Sequence, residues 1–97
     1  MSRNDRYAMT ELDPRLNAIR PDAADARLAA QVERPRYLEP VERQIVAAST
    51  SLRREPRSDS RQDSELLHGE RVRVFEETPE GWAWVQLVAD SYVGWCA

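Results

Sequence analysis

A thiol, an imidazole and two carboxylates are the groups in this sequence that could do chemistry, and their setting decides which chemistry is open. Cys96 is the one cysteine and His68 the one histidine. A catalytic thiolate needs a base within hydrogen-bond reach, a third group to orient that base, and usually a helix end to lower the thiol pKa. Cys96 instead ends the run Tyr92-Val93-Gly94-Trp95-Cys96, which reads as a strand, where a small thiol fills a core position. One histidine and one cysteine also fall short of a zinc site, so neither metal nor cofactor is expected. Asp63 and Glu65, close to His68 in sequence, could pair with a ligand ammonium through charge-assisted bonds. The imidazole of His68 is planar and can donate or accept. The alternative is that all three are solvated and shape a loop. On this reading the chain binds rather than catalyses.

The elements that must position these groups lie in the last third of the chain, which holds all three tryptophans, the one phenylalanine and all three glycines. Arg71-Val72-Arg73-Val74 alternates polar with apolar, the pattern of a half-buried strand. Thr78-Pro79-Glu80-Gly81 supplies a turn: proline presets φ at the second position, and Gly81 can take the left-handed conformation of a bulged hairpin. Trp82 to Val88 is the return strand, built from aromatic and β-branched types. Ala89-Asp90-Ser91 makes a second turn, and Tyr92-Val93-Gly94-Trp95 begins another strand. Trp82 and Trp84 share one strand face, opposite Ala83, Val85 and Leu87. One face must be the core, and the other is open to be an aromatic docking surface, with Tyr92 as a further candidate for it.

Length and charge bound the rest. Ninety-seven residues allow one small core. The net charge of −3, with acids breaking every basic run, excludes nucleic acid as the expected partner. No apolar stretch approaches membrane-spanning length. The first fifteen residues are polar and hold no apolar core of a secretion signal, so a cytoplasmic location is expected. All 14 basic residues are arginine, which suits planar carboxylate recognition as well as codon bias. Residues 1–40 read as an amino-terminal arm with one short helix at about 22–32. There Pro21 suits the first turn, Asp22 and Asp25 complement the helix dipole, and Ala24, Leu28 and Val32 form a stripe. Residues 1–18 are polar and expected to need a partner to hold them. Arg53 to Ser64 is a polar loop of twelve residues whose charges cancel, or else a binding loop.

The order Leu66-Leu67-His68-Gly69, Gly81-Trp82, Val85, Leu87 and Gly94-Trp95 resembles the bacterial SH3-like domain carried by many cell-wall enzymes. Ile45-Val46-Ala47-Ala48 looks like that family's first strand, and Leu52-Arg53-Arg54-Glu55-Pro56 like the start of its long loop. Leu12-Asp13-Pro14-Arg15-Leu16-Asn17-Ala18 and Ala24-Asp25-Ala26-Arg27-Leu28 look like the arm preceding the barrel in NlpC-type cysteine peptidases, the γ-D-glutamyl-diamino acid endopeptidases that resemble dipeptidyl-peptidase VI. The resemblance implies a mostly β fold: a small SH3-like antiparallel barrel of five or six strands over residues 41–97. It also implies a non-catalytic domain that packs on an NlpC-type catalytic domain and sets specificity for murein stem peptides with a free amino terminus. The family's Asp-Cys-Ser-Gly signature is absent. His68 stands where these peptidases carry an aromatic residue bordering the substrate's amino-terminal end, so His68, Asp63, Glu65, Trp82, Trp84 and Tyr92 are the expected ligand-facing residues. The alternative is a free-standing module that binds a wall peptide or a protein partner.

Overall fold

A computed structural model of the chain describes residues 12–97. Eight strands appear among them: β1 (Ala23–Asp25), β2 (Arg36–Leu38), β3 (Val41–Gln44), β4 (Ser49–Arg53), β5 (Gln62–Leu67), β6 (Arg71–Glu77), β7 (Ala83–Leu87) and β8 (Val93–Cys96). β1 and β2 pair in parallel. The other six form one antiparallel sheet in the order β3-β6-β7-β8-β4-β5. The fold is mostly β, as expected. The ladder does not close into a barrel: β3 and β5 remain edges. The segment between β3 and β4 bridges part of that gap, with Ile45 N–H donating to the Glu70 carbonyl and Gly69 N–H to that of Ile45, both at 2.8 Å.

The hairpin β6–β7 forms where alternation and turn chemistry place it. Gly81 has φ of +95°, and the turn closes through Thr78 N–H to the Trp82 carbonyl at 2.8 Å. The Thr78 hydroxyl adds a second tie, accepting from the Trp82 N–H at 3.1 Å. Alternation alone turns Phe75 away from Val72 and Val74 and onto the face of Trp84. A bulge between Val74 and Glu76 then reverses the phase, so that Glu76 joins that same face and meets Arg20. At the next turn Ser91 carries φ of +69°, and the Asp90 carboxylate accepts from the Tyr92 N–H at 3.0 Å.

Both faces of the sheet centre are buried. Leu52, Leu66, Val72, Val85, Leu87 and Cys96 pack on one side. On the other, Phe75, Trp84, Val93 and Trp95 pack with Ala18 of the arm, and Leu38 and Trp82 border them. Trp82 and Trp84 do share a face, but the chain's own arm covers it. Arg20 completes the cover: its guanidinium lies 4.3 Å from the Trp84 ring centre and 5.2 Å from that of Trp95. It also meets Glu76 at 2.6 Å. Stacking on two indoles while ion-paired suits a planar, weakly hydrated cation. Residues 12–18 are therefore held by the sheet itself; the expectation for residues 1–11 lies outside the described residues.

Three expectations are corrected. The helix at about 22–32 is a strand followed by one 3-10 turn, Ala26–Leu28. Isolated short helices are marginal, and here Ala23 and Ala24 bury completely while Asp25 N–H donates to the Ala18 carbonyl at 2.9 Å. Small alanines serve close packing rather than helix. Ile45-Val46-Ala47-Ala48 is not a strand: these residues join β3 to β4, and Val46 is 82% exposed. Residues 49–53 pair with β5 instead, which buries Leu52 against Leu66. Finally, the polar loop expected over 53–64 is shorter: residues 54–61 form the tip of the hairpin β4–β5, while Arg53 and Gln62 to Ser64 belong to its strands. The tip is tied by Glu55 N–H to the Ser60 hydroxyl at 2.9 Å and Arg53 Nη1 to the Ser60 carbonyl at 2.9 Å. Its charges do cancel, with Arg57 meeting both Glu55 and Asp59.

Candidate functional site

A cleft of about 290 Å³ opens between the arm and the β4–β5 hairpin. Trp84, Val93 and Gly94 form its floor, Asp13, Pro14 and Arg15 one wall, and Arg54 and Asp63 the other. Each wall is set by local chemistry. On the arm, the Asp13 carboxylate accepts from the Arg15 backbone N–H at 2.9 Å, and the Asp13 carbonyl accepts from the Leu16 and Asn17 N–H groups. This is a side-chain-closed turn, which Asp favours because it bonds its own backbone two residues on. Val93 N–H then donates to the Arg15 carbonyl at 2.7 Å, laying the turn along β8. On the hairpin, Arg54 grips Asp63 through Nε and Nη2 at 3.2 and 3.1 Å. Arg61 approaches the same carboxylate at 3.4 Å.

The electrostatics are balanced and local. The side-chain hydrogen bond from Arg15 holds the Asp13 carboxyl below its ordinary value, helped by the Arg15 backbone N–H. Asp63 is the most enclosed of the charged walls, its side chain 15% exposed. Two carboxylates and two guanidinium groups thus ring an apolar floor. Such a site suits a small ligand that carries both an ammonium and a carboxylate on a short apolar body.

Of the residues expected to face a ligand, the structure brings Asp63 and Trp84 to this cleft. Tyr92 is exposed and next in chain to Val93. Trp82 is half-buried at the far end of β7, bordering the aromatic cluster. Glu65 is exposed two residues along β5 from Asp63. His68 lies past the other end of β5, its Nδ1 3.1 Å from the Val46 carbonyl. Five residues of extended chain put it roughly 16 Å from Asp63. Asp13, Pro14, Arg15, Arg54, Val93 and Gly94 were not anticipated as site residues. The Asp-Pro-Arg run was a signal for the arm turn, because Asp before Pro initiates turns.

Cys96 lies in the opposite core. Burial pushes its thiol above the ordinary 9.0, so the neutral, unreactive form holds at neutral pH. Because the folded value is raised, the associated stability is present below pH 9 and falls as pH rises through the folded value. Iodoacetamide should therefore label the folded chain at pH 8 on the order of 100-fold more slowly than the chain unfolded in urea. Equal rates would show that the thiol is open. Among the described residues, no three His, Cys, Asp or Glu side chains are grouped to hold a metal ion, and no helix is long and apolar enough to cross a membrane.

With this geometry in place, residues 52–97 match the family described as the bacterial dipeptidyl-peptidase SH3 domain. The matched segment is thus similar to the bacterial SH3-type (SH3b) domains of peptidase-associated proteins. It runs from β4 through β8, and so takes in the floor and the hairpin wall of the cleft but not the arm. No curated protein and no solved structure matches the chain.

Proposed function

We propose that this chain is the specificity domain of an NlpC-type murein-peptide cysteine hydrolase, and that the cleft between arm and hairpin takes the free amino-terminal end of a murein stem peptide. The catalytic thiol belongs to a partner domain of the same protein, and the reaction serves peptide recycling in the cytoplasm. One observation carries this reading: the segment matching a peptidase-associated SH3 domain contributes Asp63, Trp84, Val93 and Gly94 to a single cleft rimmed by both charges. A peptide amino terminus presents an ammonium that Asp63 and Asp13 can accept, and the D-glutamyl carboxylate one residue on can meet Arg54 or Arg15. An alanine methyl fits against Pro14 of the arm wall. A polymer that continues on the amino side would carry no ammonium and would collide with the arm wall.

The test is a titration of the 97-residue chain with an L-alanyl-γ-D-glutamyl-diamino acid peptide, followed by amide shifts in NMR. Binding should be weak, because so small a cleft gives little surplus over the entropy lost on association. Shifts should centre on Val93, Gly94 and the Trp84 indole, and Asp63→Asn should weaken binding by roughly tenfold, as loss of one charge-assisted bond implies. N-acetylation of the peptide should do the same. The chain alone should release no alanyl-glutamate, with or without Cys96→Ser. If His68→Ala weakens binding while Asp63→Asn leaves it unchanged, the ligand sits at the β5–β6 turn and the cleft reading is wrong.

A further inference from the structure

One buried amide joins the parts of the cleft that are farthest apart in sequence. Gln86 is 7% exposed and lies on the arm face of β7, opposite Val93 in the register. A buried polar group is costly unless hydrogen-bonded, and this one is committed on every side. Its Nε2 donates to the Leu16 carbonyl and to the Ser91 carbonyl, each at 3.1 Å. Its Oε1 faces the Arg27 guanidinium at 3.5 Å. Both amide hydrogens are thus used, one on the arm and one on the β7–β8 turn. Leu16 follows Arg15, whose carbonyl receives the Val93 N–H. Ser91 precedes Tyr92 and Val93. Gln86 does not line the cleft; it grips the arm at Leu16, one residue past the Arg15 end of the wall.

We infer that Gln86 is the positioning residue of the cleft: its amide holds the arm wall against β8 and so sets the gap into which a ligand enters. Only the identity of what fills the gap rests on the function proposed for the chain; the position of the wall does not. Side chains of similar volume that cannot donate break the link without emptying the site. In Gln86→Glu the carboxylate accepts only, and faces two carbonyl oxygens. In Gln86→Met the volume stays and the bonds go.

The experiment is native-state amide hydrogen exchange on the full chain and both variants, with the Val93 amide, which donates to the arm, read against the Val85 and Val74 amides of the central ladder. Val93 exchange should accelerate on the order of 10- to 100-fold while the ladder amides stay within about threefold. No change at Val93, or an equal acceleration throughout the sheet, overturns the inference, the second because Gln86 would then serve general stability alone. The unaltered chain supplies a measurement that needs no variant. The Val93 amide donates from the sheet to Arg15, and the Asp25 amide donates within the arm to Ala18, on either side of Leu16. If the arm opens as one body, the two should exchange at one common rate. Unrelated rates would show that Leu16 does not hold the arm as one body. Titration with the alanyl-glutamyl-diamino acid peptide is a separate reading. If Val93 alone loosens while peptide affinity is unchanged, the positioning role stands and the assignment of the cleft to that ligand falls.

Discussion

Gly94→Ala is expected to remove about 2–3 kcal/mol of stability, seen as a fall in the urea midpoint at constant m-value. The reason is contact, not backbone angle. β4 and β8 share a single register pair, Arg53 with Trp95, so the two strands meet closely and briefly. A methyl at Gly94 would lie 2.7 Å from the Arg53 carbonyl oxygen and 2.8 Å from Leu52 Cγ. The carbonyl is backbone and cannot turn aside, and Leu52 is fully enclosed in the core. The strands must separate, opening the core on one side and the cleft floor on the other. Gly81→Ala is the contrasting variant: nothing lies near its would-be methyl, and only the left-handed φ opposes it, which costs roughly 1–2 kcal/mol. A Gly94→Ala chain within about 0.5 kcal/mol of the parent, the range of a neutral surface change, would show that β4 does not seat on β8. The strand order β7-β8-β4 would then be wrong.

Trp84→Ala should be the most damaging single change, at about 3–5 kcal/mol. Trp84 is 3% exposed, its ring centre 5.3 Å from that of Phe75 and 6.2 Å from that of Trp95, with the Arg20 guanidinium on it. Truncation leaves a large cavity and takes away the surface on which the arm rests, so arm and sheet should loosen together. Trp82→Ala, at the half-buried rim, should lose about 1 kcal/mol or less. Thermal unfolding of the two variants separates the roles. Were Trp84→Ala as stable as the parent but unable to bind peptide, the ring would be an exposed ligand plate rather than part of a covered aromatic face.

The parts legible in the sequence are those where side chains announce the backbone. Alternation in Arg71–Val74, the Pro79–Gly81 turn and the opposed faces of Trp84 and Val85 are local signals, and β6, β7 and β8 follow them. The arm was legible only as a resemblance. Its grip on the sheet runs through the carbonyls of Arg15, Leu16 and Ala18, and a carbonyl is the same in every residue. Residues 22–32 misled for a related reason: alanines that suit a helix also suit close packing, and tertiary burial decided between the two. The 45–48 run was apolar enough for a strand, but β5 registers with the next five residues instead. Of the site, Asp63 and Trp84 were visible as a carboxylate and an aromatic near a turn. Arg54 looked like one charge among many, because only the hairpin pairing sets it beside Asp63.

The anchoring of the arm also orders events during synthesis. The arm leaves the ribosome before the sheet, yet its landing place is β7 and β8, with Leu16 bonded to a residue seventy positions later. At translation rates of roughly 5–20 residues per second, the arm waits about 4–14 s for that partner. Throughout that interval it has no sheet to bind, and Ala18 and Arg20 stay open to chaperones and proteases. When Trp84 and Trp95 emerge, a strap tethered to the same chain is already at hand to cover them.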